Sequence, residues 1–164
     1  MDSHTPLGAP DPSQVSEFWQ RFITHSAPHR DVPEPEAWAF GDSVELADEL
    51  IALVLEGTKR ATAGSVAEYE REGEPLPDVG DLEIVTDGAC RPRGVLRISE
   101  VRIGPLSSVD DRFAYDEGEG DRTRAYWLSA HTEFFQRVLP DLGIDVDPDM
   151  ATIFQRFEVL YQEP

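Results

Sequence analysis

The chain has 164 residues, 40% of them hydrophobic, and carries 33 acidic against 14 basic residues for a formal net charge of −19. That length supports one core and is short for two, no run approaches the roughly 20 apolar residues of a membrane span, and the acidic field disfavours non-specific binding to duplex nucleic acid. A single cysteine, Cys90, excludes an internal disulfide and suits a reducing compartment, so a cytoplasmic location is expected.

Residues 1–12 hold Pro6, Gly8, Pro10 and Pro12 among small polar residues and read as a disordered tail. A helical extension is predicted over residues 13–35. Asp11, Pro12 and Gln14 have the form of an N-cap, a first-turn proline and a capping-box glutamine. Val15, Phe18, Trp19, Phe22 and Ile23 then recur at helical spacing until Pro28, Pro33 and Pro35 end the pattern. The main domain is expected over residues 36–162. Its clearest element is a helix capped by Ser43, with Leu46, Leu50, Ile51, Val54 and Leu55 on its apolar face and Gly57 at the left-handed terminator position. Thr58 to Gly64 is short and polar, and a short helix is predicted over Val66 to Arg71.

Asp81 to Thr86 and Gly94 to Ile103 read as two strands of a hairpin, with Asp87-Gly88 as the turn signal. The stretch Phe113 to Asp121 reads as an acidic, glycine-containing loop. Thr123 to Leu139 is predicted to be a helix whose buried stripe is Tyr126, Trp127, Ala130, Phe134 and Val138, and Ile153 to Tyr161 a core strand. Strands set among helices without a regular βαβ rhythm imply an α+β fold around a small antiparallel or mixed barrel.

Several generic signatures fail. A phosphate-cradling G-x-x-x-x-G-K is absent. Asp145, Asp147 and Asp149 resemble the start of a calcium loop but have Met150 and Arg156 where glycine and glutamate belong. Pro28 interrupts the His25/His29 pair, Cys90 reads as an idle thiol, and His131 reads first as a satisfied, partly buried imidazole.

The segment Gly57-Thr58-Lys59-Arg60-Ala61-Thr62 is more informative. Of the 14 basic residues, Lys59 is the only lysine. An ammonium can lose its proton when desolvated and act as a base or nucleophile, which a guanidinium cannot. Lys59 could therefore activate the Thr62 hydroxyl, provided a bend brings the two side chains together. A second cluster lies in Phe113 to Asp121, where crowded carboxylates could serve as general acid or base or hold a divalent cation. Glu117 and Glu119 are both candidates there, and a solvated loop capping the next helix is the structural alternative. Arg122 and Arg124 are placed to meet phosphate.

These pieces in this order resemble the ASCH domain family, a branch of the PUA-like superfamily. The likeness runs through Trp38 to Ser43, the Gly-x-Lys-x-x-Thr element Gly57 to Thr62, Glu68-Tyr69-Glu70, Gly73 to Pro77, Val79-Gly80-Asp81, the loop Phe113 to Asp121 and Arg156-Phe157. The resemblance implies a small PUA-like β-barrel surrounded by helices, with a cleft beside Lys59 for single-stranded RNA or a modified nucleoside. It implies two activities: ribonuclease action on single-stranded RNA, favoured by the longer chain, or removal of the acetyl group from N4-acetylcytidine. Catalytic roles then fall on Lys59, Thr62 and Glu117, with Glu119 as the rival carboxylate. Arg60, Arg122 and Arg124 would position the substrate, and Trp38, Tyr69 or Tyr115 would stack on its bases. The family also leaves open a module that binds RNA without turnover. No metal ligands are assigned, a divalent cation is compatible with the carboxylates, no organic cofactor is expected, and a homodimer is compatible with the sequence.

Overall fold

Apolar residues at helical spacing bury one side of α1 (Pro12–His25) through Val15, Phe18, Trp19 and Phe22, and Asp11 caps it by accepting from Ser13 N at 2.9 Å. A computed structural model describes residues 5–164. It divides the chain into two units. The first comprises the described residues up to Glu56 together with Leu82–Arg97 and Val159–Pro164, and the second comprises Gly57–Asp81 and Ile98–Glu158.

In the first unit, β1 (Ala37–Ala39) precedes α2 (Val44–Leu55), where Ser43 accepts from Leu46 N as its sequence position predicts. Thr5 is tied to the start of that helix, since Val44 N donates to its carbonyl and Thr5 Oγ1 donates to Glu45. The predicted hairpin forms from β3 (Leu82–Thr86) and β4 (Pro92–Pro105), paired antiparallel. Ile84 and Val95 join the α1 face in one apolar cluster.

The second unit runs from β2 (Ala61–Ser65) into α3 (Val66–Glu72), then through α4 (Asp111–Glu117) and α5 (Arg124–Val138) to β5 (Ala151–Gln162), which ends in the first unit. Its core packs Ala61, Phe113, Ala114, Trp127, Phe135 and Phe154 together.

The α+β class holds. The five strands make one mixed sheet in the order β1-β3-β4-β5-β2, with β1 parallel to β3 and β2 antiparallel to β5. The closed barrel expected from the sequence is not formed, because β1 and β2 are the ends of that order. Closure requires every strand to be paired on both sides. β1 is only three residues long, and β2 gives way at once to α3, whose N-cap is Ser65. Among the described residues no helix is long and apolar enough to cross a membrane.

Two further expectations change. Residues 111–117, read as part of an acidic loop, are helical: Asp110 caps the start by accepting from Phe113 N at 2.7 Å, and Gly118 ends it in the left-handed region. Seven residues are too few for a periodic signal to stand out. In α5 the buried residues are Trp127 and Phe135, while Tyr126 is exposed. Of the predicted stripe, Trp127 is in the core and Phe134 and Val138 pack against it partly buried, while Phe135 and the partly buried His131 extend the inward face.

Candidate functional site

Position 59 follows a helix that stops at Gly57, whose φ of +89° suits glycine. The chain then enters β2, and Arg60 N donates to Asp116 O at 2.7 Å. That bond lays the Lys59–Arg60 step against the last turn of α4. Gly118 makes the approach possible: a Cβ there would lie 2.6 Å from Thr58 O and 3.0 Å from Lys59 N. Lys59 and Glu117 face inward from the two segments, each with a side chain only 1% exposed.

The ammonium of Lys59 donates to Ala61 O at 2.9 Å, to Glu117 Oε1 at 3.2 Å and to Glu119 Oε2 at 3.2 Å. The first of these bonds puts the charge beside the peptide that joins Ala61 to Thr62. On the far side of Glu117, Oε2 lies 3.0 Å from His131 Nε2. His131 Nδ1 is 2.9 Å from Trp127 O, and the imidazole stacks on the Trp127 ring at 3.8 Å. The imidazole thus lies within ion-pair range of Glu117 on one side and within hydrogen-bond distance of the Trp127 carbonyl on the other.

Burial pulls the Lys59 ammonium toward deprotonation, but the charges of Glu117 and Glu119 outweigh it and leave its pKa raised. Burial likewise pushes the Glu117 carboxyl up, and His131 together with Lys59 more than reverses this, holding it below its ordinary value. For His131, burial works against the charge and Glu117 restores it, so the imidazole pKa is raised. The result is a line of alternating charges, Glu119, Lys59, Glu117 and His131, buried at Lys59 and Glu117 and partly open at its ends, where Glu119 is 21% and His131 12% exposed.

The geometry distinguishes the three groups. Lys59 is an ion-pair partner of both Glu117 and Glu119. Glu117 has both oxygens engaged by Lys59 and His131, so the carboxylate open to an incoming group is Glu119. Donor atoms of Glu117, Glu119 and His131 lie within 4.8 Å of one another and could ligate a divalent cation, but the Lys59 ammonium already fills the cation's place between the two carboxylates.

Thr62 stands opposite Gln155 across the β2–β5 ladder, so the two side chains share a strand face. Tyr69 packs over that same face, against Gly64. Gln155 was not singled out from the sequence, yet it is buried and its Oε1 has no hydrogen-bond partner among the described residues. An amide alternating with Ile153 and Phe157 in an apolar strand was the available signal.

The remaining candidates separate. Arg60 pairs with Asp116 at 2.8 Å. Tyr115 is exposed, with the Arg122 guanidinium 3.5 Å over its ring. Arg124 donates to Val109 O and Ser107 O, both at 2.6 Å, bonds that brace the backbone before α4. Trp38 belongs to the first unit and stacks edge-on with Phe40.

A family model for the ASCH domain matches residues 36–161. The structure is similar to that of a protein from Enterococcus faecalis V583, with a TM-score of 0.82 and 37% identity over 90% of this chain and 88% of that one. It is also similar to an ASCH domain from Lactobacillus crispatus JV V101, with a TM-score of 0.83 and 30% identity over 92% of this chain and 96% of that one. No curated protein matches the chain.

Proposed function

The chain belongs to the ASCH domain family, whose PUA-like fold is linked with RNA binding, and from that premise we propose that it is a hydrolase acting on single-stranded RNA at the Lys59 cluster. The observation that supports the reading is a buried ammonium held on the Ala61 carbonyl, next to Thr62 in the chain, and paired with the partly exposed Glu119. A preorganised cation in a site closed to water stabilises negative charge far better than an exposed one. In RNA cleavage that charge develops on the phosphoryl oxygens as a ribose 2′-hydroxyl attacks. Glu119 takes the hydroxyl proton as the 2′-oxygen–phosphorus bond forms, Lys59 stabilises the phosphorane, and the phosphorus–5′-oxygen bond breaks with that proton passed back from Glu119 to the leaving 5′-oxygen; water opening the resulting 2′,3′-cyclic phosphate completes the hydrolysis.

Removal of an acetyl group from N4-acetylcytidine is the second reading, favoured by one observation: Thr62 shares its strand face with Tyr69 and with the unpartnered oxygen of Gln155. Thr62 would be the nucleophile, Glu119 its base, and Lys59 the stabiliser of the oxyanion.

The test is mass spectrometry of a single-stranded RNA oligomer carrying one N4-acetylcytidine, incubated with the wild type, Glu119→Gln and Thr62→Ala. Shorter fragments that depend on Glu119 but not on Thr62 support the ribonuclease. An intact oligomer lighter by one acetyl group, lost in both variants, supports the amidohydrolase and overturns the first reading. An oligomer that is bound but unchanged overturns both and leaves a binding module. Loss of a general base of this kind is expected to slow turnover by about 100-fold or more.

A further inference from the structure

Lys59 and Glu117 are buried, while their neighbours Arg60 and Asp116 lie on another side of the same two segments. There they line a cavity of about 470 Å³ together with Arg112, Arg156, Tyr115 and Phe157. That volume lies within the range of small-molecule sites, roughly 300–1,000 Å³. Three guanidinium groups meet one lining carboxylate, a local excess of positive charge on a chain whose net charge is −19.

Asp116 divides its two oxygens between Arg60, at 2.8 Å, and Arg156, at 3.2 Å. This fixes the direction of both guanidinium groups and leaves further N–H donors on each. Arg156 is held again by Glu100 at the rim. Arg112, one turn before Asp116 on α4, is exposed and has no hydrogen-bond or ion-pair partner among the described residues. Asp116 and Glu100 offset two of the three charges and leave that of Arg112 over, which favours an anion in the concavity, and guanidinium groups suit the oxygens of a phosphate. Tyr115, one ring face of which is covered by Arg122, supplies an aromatic wall whose other face a base could meet.

We infer that this cavity is a phosphate-binding subsite for a nucleotide unit, set by Arg60, Arg112 and Arg156, and separate from the Lys59 cluster on another side of the same two segments. The phosphate is either a diester within single-stranded RNA or the terminal monoester of a nucleotide.

The test is binding rather than turnover. Fluorescence anisotropy of a labelled single-stranded RNA would be followed over a range of salt with the wild type, Arg112→Glu and, as a control for net charge, Arg30→Glu, an exposed arginine of the first unit. Arg112→Glu is expected to weaken binding about tenfold or more and to flatten the salt dependence by about one unit of slope. Arg30→Glu should leave both within about twofold. Competition with a nucleoside 5′-monophosphate against the same nucleoside without phosphate identifies the source. Displacement by the monophosphate at low concentration indicates a monoester site, and displacement only by unlabelled oligomer indicates the RNA backbone. Equal weakening by both arginine variants, or none by either, overturns the subsite. Because the readout is binding, RNA cleavage that persists unchanged in Arg112→Glu with binding intact refutes the subsite alone. Arginine-dependent binding without any cleavage refutes the hydrolase reading alone.

Discussion

Lys59 and Arg60 are adjacent, and so are Glu117 and Asp116, yet the inner pair and the outer pair are different physical objects. The inner ions, each 1% exposed, lie 3.2 Å apart; the outer ones lie closer, at 2.8 Å, with Arg60 54% exposed. The shorter contact is the weaker. An exposed pair is screened and contributes little. A buried pair has already given up hydration, so each member depends on the other for its charge. Distance alone would rank the two in the wrong order. The inner pair fixes the architecture and stores a charge, while the outer pair aims donors outward at little cost to stability.

The sharpest way to break this comparison is Glu117→Ala. It strands Lys59 and His131 as buried cations with only Glu119 to balance them, and a loss of about 3–5 kcal/mol is expected in urea unfolding. A loss below about 1 kcal/mol would mean that the inner face is as tolerant as the outer. Next in size is Gly118→Ala. The position has φ +75°, and a Cβ would meet the Thr58 carbonyl at 2.6 Å, a backbone obstacle that cannot rotate away. A cost of roughly 1–3 kcal/mol is expected, while Gly57→Ala, which meets nothing within 4 Å, should cost less despite its own positive φ. Equal losses would show that the close approach of the two segments is not what Gly118 secures.

How much of this was legible in the sequence follows the length of the signal. α1 and α2 declare themselves through repeated apolar spacing and through the caps Asp11 and Ser43, and the hairpin through Asp87-Gly88. Lys59 could be picked out because it is the single lysine, and Glu117 with Glu119 because they flank Gly118. α4 could not, since two turns carry no periodicity. Its misreading as a loop hid the fact that Asp116 and Glu117 lie on different sides. The same misreading concealed Arg112 and Arg156, which come together only through pairing of β2 with β5 and docking of α4. The surroundings of Lys59 were hidden for a different reason: the charge state of a buried ammonium depends on which carboxylates reach it, and spacing along the chain does not fix that.

The inner face should also carry a pH dependence. The folded-state pKa of His131 is raised above its ordinary value of 6.5. Its contribution to stability is therefore complete below pH 6.5 and is lost as pH rises through the folded value. Glu117 is depressed below its ordinary 4.5, so its contribution is present above pH 4.5 and is lost as pH falls through the folded value. Wild-type stability measured by urea unfolding should accordingly decline on the alkaline side of pH 6.5, and His131→Gln should flatten that limb while keeping the acid one. A wild-type curve already flat above pH 6.5 would mean that the imidazole is neutral in the fold and that Glu117 is balanced by Lys59 alone.

The smallest expected effect on stability is also the most discriminating. Arg60→Ala removes an exposed ion pair but keeps the backbone bond from residue 60 N to Asp116 O, so it should cost at most about 1 kcal/mol. It takes one of three guanidinium groups from the outer cavity and leaves Asp116 with Arg156 as its partner. RNA affinity should therefore fall several-fold in anisotropy titrations while the urea midpoint barely moves. Asp116→Asn should do the reverse to the cavity, raising its positive charge while loosening the two guanidinium groups that the carboxylate aims. Tighter RNA binding in Asp116→Asn at low salt, lost faster than in the wild type as salt rises, would mean that charge dominates. Weaker binding at every salt concentration would mean that the aim of Arg60 and Arg156 matters more than their charge, as bidentate recognition of a phosphate requires.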